Sequence, residues 1–259
     1  MRVTVNAFDI YVDSSPSGRM MAHLLEPPGL GLRFESRALM RARLPRAIAA
    51  HLAWLRSHGE PVPPVRPDKL RIASEVFVAG NFDSGDDVGF HPPDAVQVSQ
   101  EEIERYLRIA GYAHQDLLGQ VRGVGPAALV WTRDKRIRPI REILRHVAGA
   151  ELWYMTRIID DPGAHGMPDT IAEADRRIDA TEDAEERVRI VWSAFQQWAR
   201  SLPPDLLSRV TAPAWFTERK DERWSARKML RRCIEHSREH TRTVEKILAA
   251  YRSTATTSP

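Results

Sequence analysis

The hydrophobic residues of this chain change their spacing once, at a segment rich in Gly, Asp and Pro between residues 80 and 93. Before it, short apolar runs alternate with turn residues, a pattern typical of β-strands. After it, apolar residues recur every three or four positions over long stretches, which is typical of α-helices. We therefore predict an α+β fold with a domain boundary in this segment. The predicted parts are residues 1–88, residues 95–252 and a disordered tail over 253–259.

The first domain is predicted to contain three strands, a helix and a last strand. The strands are expected within residues 3–12, 20–25 and 31–35, the helix over 38–56 and the last strand over 72–78. Pro45 lies inside the helical stretch. Because proline lacks the backbone N–H that an interior helical position donates, we expect the helix to start or to kink there.

The second domain is predicted to contain four long helices. The first opens at Ser99, with Glu102 three residues later, which is the pattern of a capping box. The others begin near Pro139, Thr181 and Trp224. Four helices with one apolar seam each favour a helix bundle.

Composition excludes several classes of protein. The chain has 259 residues, of which 42% are hydrophobic and 28% charged, so it is not a disordered chain. Its net charge of +3 is too small to indicate nucleic-acid binding. One cysteine, Cys233, excludes an internal disulfide and fits a reducing compartment. No apolar run approaches the ~18 residues of a membrane span, and the N-terminus lacks a signal-peptide pattern, so we expect a cytoplasmic protein.

His236 and His240 are the sharpest functional signal in the sequence. Four residues apart on one helix, they lie one turn apart on the same face, a spacing at which two imidazoles can share one metal ion. The apolar seam around them predicts that they point inward, where an unpaired polar group is costly. The competing interpretation is a basic surface face with two incidental histidines.

His146, at the edge of the apolar arc of the second helix, is the candidate third ligand. Three neutral imidazoles leave a coordination position open, and they suit Zn, Ni, Fe or Cu. His114, Cys233 and Trp153 are kept as candidate pocket residues. For each of them a role in the core is the alternative, and Cys233 is interpreted as a small buried hydrophobe rather than a fourth ligand.

The string from His236 to His240 also has the order of the inverzincin metalloprotease motif, in which Glu239 would be the general base. Such enzymes need a further carboxylate ligand well downstream, and only nineteen residues follow His240. We therefore interpret Glu239 as a solvated helix charge and assign no catalytic residue.

Residues 141–154 and 224–240 resemble the DinB/YfiT-like superfamily, and the resemblance extends over roughly residues 97–252. Its members are four-helix bundles with a crossover order that hold a divalent metal with one His of helix two and an H-x-x-x-H pair of helix four. His146, His236 and His240 fall on those positions. The resemblance implies a divalent metal, with Zn or Ni expected. It also implies a low-molecular-weight thiol (mycothiol, bacillithiol or glutathione) as a cosubstrate.

Residues 11–29, 44–54 and 59–63 resemble the HicB-type antitoxin fold, a small β-β-β-α-β module. The DNA-binding element that usually follows in such antitoxins is absent, which argues against a toxin–antitoxin role. Acidic residues are sparse in this module, so an RNase H-like metal site is not expected at Asp9, Asp13 and Glu26.

These observations predict a metal-dependent enzyme that acts on a small organic substrate. Thiol-dependent transfer or isomerisation is the leading reaction, and metal-dependent hydrolysis is the runner-up. The competing hypothesis is a non-catalytic metal-binding protein whose HicB-like domain recruits a protein partner. Nucleic acid and membranes are not expected partners, and a homodimer is left open.

Overall fold

The computed structural model of the chain describes residues 7–80, 82, 87–159, 162 and 166–256. A small four-stranded sheet with one helix precedes a region made of helices, so the α+β prediction is confirmed. We call residues 8–77 the sheet module and residues 92–256 the helical region. The HicB-like identity of the sheet module and the boundary between two domains stay predictions.

The sheet module has the predicted order of elements. It comprises β1 (Phe8–Ser14), β2 (Met20–Leu24), β3 (Leu30–Phe34), α1 (Arg37–Ser57) and β4 (Leu70–Phe77). The strand order is β3-β2-β1-β4, with β4 parallel to β1 and the other neighbours antiparallel. One face of the sheet packs on the apolar stripe of α1. Because successive side chains of a strand point to opposite faces, Asp13 and His23 lie on the other face.

Helix α1 begins at Arg37, so the expectation that it starts at Pro45 is wrong. The side chain of Ser36 caps the helix by accepting a hydrogen bond from the backbone N–H of Leu39 at 3.3 Å. Met40 on one side of Pro45 and Ile48 on the other are both buried against the sheet. Burial of such side chains contributes about 1.5–3 kcal/mol each, enough to offset the ~3 kcal/mol that an interior proline costs.

In its described part, the helical region contains the four predicted long helices, together with two shorter α-helices and one 3-10 helix that were not predicted. The elements are a 3-10 helix (Pro92–Ala95), α2 (Gln100–Val121), α3 (Pro126–Val130), α4 (Ile140–Thr156), α5 (Asp169–Asp179), α6 (Ala184–Arg200) and α7 (Ala226–Thr256). The capping box of α2 is present, with Ser99 Oγ accepting from the Glu102 N–H and Glu102 accepting from the Ser99 N–H. Helix α7 continues four residues into the predicted disordered tail, and residues 257–259 lie outside the described residues.

The long helices of this region pack in a ring of pairs: α2 on α7, α7 on α4, α4 on α6 and α6 on α2. Their apolar seams form one continuous core. The crossover four-helix bundle implied by the resemblance stays a prediction. No helix in the described part of the chain has the length and apolar character needed to cross a membrane. The expected cytoplasmic location likewise stays a prediction.

Helix α7 also runs against the sheet module. A Cβ atom added at Gly29 would lie 2.6 Å from the side chain of Ile234, and one added at Gly31 would lie 3.1 Å from Glu235. Gly29 also has a φ of +110°, a conformation that suits glycine. Two glycines beside β3 therefore allow the backbone to approach α7 closely, next to His236.

Candidate metal centre

The three predicted metal-ligating histidines converge on one point. His236 and His240 come from adjacent turns of α7, and His146 comes from α4. The Nε2 atom of His236 lies 3.1 Å from that of His146 and 3.0 Å from that of His240. We call these residues the three-histidine cluster. Their role as metal ligands stays a prediction.

The cluster is neutral at physiological pH. Burial lowers the pKa of His236 well below its usual value, that of His240 to about 3 and that of His146 to about 4. Mutual repulsion lowers the pKa values of His236 and His240 further, and the nearby guanidinium of Arg33 acts in the same direction on all three. Neutral imidazole is the form that binds a metal.

The spacing of the three Nε2 atoms fits a metal ion. A neutral imidazole carries its proton on one ring nitrogen and a lone pair on the other, so each Nε2 offers a lone pair to a metal ion when the proton lies on Nδ1. Zinc–nitrogen bonds of about 2.0–2.1 Å in a tetrahedral site place neighbouring nitrogens roughly 3.3 Å apart. The Nδ1 atoms of His236 and His240 are buried without a partner among the described residues. These Nδ1 atoms are therefore free to carry the ring protons while Nε2 faces the centre of the cluster.

Aromatic and charged side chains surround the cluster. The ring of Tyr154 meets His236 edge-on at 5.7 Å, and burial raises the pKa of this phenol to about 12. Arg33, from β3 of the sheet module, forms an ion pair with Glu239 and donates from Nε to the carbonyl of Phe82 at 2.8 Å. The interpretation of Glu239 as a solvated charge is therefore wrong: its side chain is only 25% exposed and is held by Arg33.

His114 and Cys233 belong to a different group. Their donor atoms cluster with the carboxylate of Glu151, not with the three-histidine cluster. His114 contacts Glu151 through Nε2 at 2.9 Å and the Ala110 carbonyl through Nδ1 at 2.8 Å. Burial raises the pKa of the Cys233 thiol well above its usual value, and the Glu151 carboxylate adds to this. Both residues therefore fit a role in the packed core better than a role in a pocket beside the three histidines.

Trp153 packs away from the histidines. Its indole N–H donates to the Phe216 carbonyl at 2.7 Å, and the Arg157 guanidinium lies 4.6 Å from the centre of its ring. The aromatic side chain beside His236 is its neighbour Tyr154. Consecutive residues such as these lie 100° apart around a helix. Sequence spacing alone did not show which of the two faces the histidines.

A second buried cluster lies where the sheet module meets α7. We call it the interface network, and its members are Asp13, His23, His91, Asp94, Arg231 and Glu235. His23 bridges two carboxylates, with Nε2 3.1 Å from Asp13 and Nδ1 3.1 Å from Glu235. Asp13 also pairs with His91 at 3.0 Å and accepts from the Gly89 N–H at 2.9 Å.

Arg231 completes this network with two parallel hydrogen bonds to Asp94, at 2.7 and 2.8 Å. Burial alone would lower the pKa of His23, but the carboxylates of Glu235 and Asp13 raise it above its usual value. His23 is thus a cation between two anions. Although Asp13, His23 and His91 are close enough to hold a metal ion, their donor atoms already have partners.

The sequence reasoning missed most of the interface network. Asp13 was considered only as part of an acidic site that was not expected, and His23, His91, Asp94 and Glu235 were not singled out. The available signal was an ionisable residue directly after the first predicted strand, Asp13, and another inside the second, His23. Glu151, inside the apolar run of α4, was a similar signal, and it accepts a hydrogen bond from Ser237 at 2.7 Å.

Comparison with known families decides the classification. The sequence model of the DinB superfamily matches residues 112–244, which is just over half of the chain and includes all three histidines of the cluster. The chain belongs to the DinB superfamily. No curated protein and no solved structure matches it. DinB-superfamily members bind metals, and this member has buried groups able to hold one.

Proposed function

We propose that this DinB-superfamily protein is a metal-dependent enzyme in which His146, His236 and His240 hold one divalent ion, with zinc or nickel expected. The observation that carries the proposal is the convergence of three neutral imidazoles, in which the Nε2 atom of His236 lies 3.1 Å from that of His146 and 3.0 Å from that of His240. A divalent ion held by three imidazoles with an open position supplies a Lewis acid that lowers the pKa of water or a thiol.

The protein's own charges favour an anionic reactant at this site. Arg33, Arg138 and Arg232 are close enough to the histidines to lower their pKa values. Arg33 and Arg232 are each paired with a carboxylate, whereas exposed Arg138 forms no ion pair with a described residue. We infer that Arg138 attracts a thiolate or a substrate carboxylate to the three-histidine cluster. Tyr154 closes the buried side of His236 and excludes water there.

Thiol-dependent transfer or isomerisation of a small organic substrate is the proposed reaction, with hydrolysis as the alternative within the same class. The first test is the metal content of the purified full-length chain. We expect about one divalent ion per chain in the wild type and none in His240→Ala. His58→Ala is the matched control, because His58 stacks on Tyr112 outside the cluster and its loss leaves the metal in place.

The second test separates a catalytic from a non-catalytic metal. Thiol consumption and ester hydrolysis are followed for the loaded chain, after chelation and after the metal is restored. Loss of turnover on chelation and recovery on reloading support an enzyme. Full occupancy without turnover of either kind would favour the non-catalytic metal-binding protein. A metal retained by the variant lacking all three histidines would refute the site itself.

A further inference from the structure

A groove of about 860 Å³ lies between α2, the turn that follows it, and α7. Arg238 and Arg242 line it from α7. Each follows a histidine of the three-histidine cluster by two residues, roughly 200° around the helix, so the groove lies on another face of α7. The charged residues that line it are Asp116, Arg122, Arg238, Arg242, Glu245 and Arg252. Arginines outnumber carboxylates there by two to one.

The Arg242 guanidinium is attracted by the charge of Glu239, but the Glu239 carboxylate is paired with Arg33 instead. Within the described residues Arg242 makes no hydrogen bond and no ion pair, and its Nη2 atom is buried. A buried N–H group that is left unsatisfied lowers stability, and more so when it is charged. The groove therefore contains strong donors that the chain itself does not use.

Arg238 is fixed in place but incompletely bonded. Its guanidinium lies 3.6 Å from the centre of the Trp54 ring, and its Nε atom is buried without a partner. The Asp116 carboxylate is 3.8 Å away, beyond hydrogen-bonding distance, and it already accepts from the Trp54 indole at 2.6 Å. A guanidinium that is stacked on an aromatic ring and still has free donors is oriented to receive an anion.

We propose that this groove is a second binding site, separate from the metal centre, for an oxyanion: the phosphate or carboxylate group of a small molecule held between Arg238 and Arg242. Planar guanidinium groups bind both kinds of anion through paired, charge-assisted hydrogen bonds. Such a ligand would satisfy the buried donors that the chain leaves open. The open space beside Gly119, Gly123 and Gly125 leaves room for the rest of the molecule.

The test is calorimetric titration of the full-length chain with inorganic phosphate and, separately, with malonate. Arg242→Met keeps much of the side-chain volume and removes the donors, so we expect it to weaken anion binding by about tenfold or more. Arg189→Met is the control, because Arg189 pairs with Glu185 on the exposed side of α6. The tighter of the two anions identifies the group that the site prefers.

Thermal unfolding separates a binding role from a structural one. Without added anion, Arg242→Met should keep or raise the melting temperature, since it removes an unpaired buried donor. With anion, the wild type should gain stability and the variant should not. A lower melting temperature in the anion-free variant would mean that Arg242 supports the fold, and it would overturn the proposal.

The metal centre must also be excluded as the anion site. Phosphate binding should persist in His240→Ala, which is designed to remove the metal. Binding lost in His240→Ala but kept in Arg242→Met would assign the anion to the metal centre and overturn the proposal. Failure of the wild type to bind either anion at millimolar concentration would overturn it too.

Discussion

Two polar clusters meet on α7. They differ in how completely the hydrogen-bonding groups within each cluster are paired with one another. Glu235 belongs to the interface network and its neighbour His236 to the three-histidine cluster. In the network, cations alternate with anions, and the close contacts join a donor to an acceptor. In the cluster, three identical neutral rings turn the same atom toward one another. Burial of polar groups is common to both, so the missing partner, rather than burial, is the signal of a binding site.

The largest effect is expected from breaking the interface network. Arg231→Met leaves the buried Asp94 carboxylate unpaired, and removal of one member of a buried ion pair costs about 3–5 kcal/mol. Urea unfolding should show this loss in the free energy of unfolding. The surface control Arg189→Met should change it by less than about 0.5 kcal/mol. A loss below about 1 kcal/mol in Arg231→Met would show that its ion pair with Asp94 does not stabilise the packing of Pro92–Ala95 on α7.

A single substitution in the three-histidine cluster should lower the free energy of unfolding much less than one in the interface network. In metal-free protein, His240→Ala removes a ring that has no complementary partner, so we expect a change of no more than about 1 kcal/mol. With zinc at a hundred times the dissociation constant, the wild type gains about 2.7 kcal/mol and the variant gains nothing. Urea unfolding with and without zinc measures both values. An equal gain in the variant would contradict the assignment of His240.

His23 of the interface network and the histidines of the three-histidine cluster should also have opposite pH dependences in the metal-free chain. The folded-state pKa of His23 is raised above 6.5, so its contribution is fully present below pH 6.5 and is lost as the pH rises through that raised pKa. The pKa values of His146 and His240 are lowered to about 4 and about 3. Their contribution is present above pH 6.5 and is lost as the pH falls through those values.

Unfolding free energies across pH 4–9 test this contrast. His23→Asn should lack the decline on the alkaline side, and His240→Ala should have a shallower decline on the acid side. Identical alkaline slopes in the wild type and His23→Asn would mean that His23 is not protonated in the network.

The smallest effect is expected at the ion pair that links the sheet module to the rim of the three-histidine cluster. Arg33 and Glu239 are partly exposed, with side-chain exposures of 21% and 25%. Pairs of this kind contribute about 0–1 kcal/mol. Arg33→Gln should therefore lower stability by no more than that and should leave the metal content unchanged. Loss of the metal in this variant would give Arg33 a role in holding the site together.

Local patterns were sufficient to predict much of the fold. The capping box at Ser99, the apolar seams of the long helices and the turn-separated strands depend on neighbouring residues, and the structure contains all of them. The range of α1 agrees with the predicted 38–56 within one residue at each end, and only the alternative start at Pro45 was wrong, because tertiary burial offsets the cost of the proline. The sequence pattern did not predict helix α5, because its buried face consists of only three apolar residues, Ile171, Ala174 and Ile178.

The two clusters were predictable to different degrees. His236 and His240 share one helix face, so their proximity follows from spacing alone. His146 joins them only through the packing of α4 on α7; its place at the edge of an apolar arc made it a candidate, and the family resemblance then supported it. The interface network assembles residues from β1, β2, the segment before α2, and α7. Nothing in the local sequence around His91 or Asp94 indicates partners more than 70 residues away in the chain.

The central claim is that the three-histidine cluster binds a metal whereas the more deeply buried group of Asp13, His23 and His91 does not. Anomalous diffraction at the zinc edge, from crystals of the full-length chain grown with zinc, tests both halves of this claim at once. The account predicts one strong peak between the Nε2 atoms of His146, His236 and His240, and none in the interface network. A peak beside Asp13, or no peak among the three histidines, would contradict it.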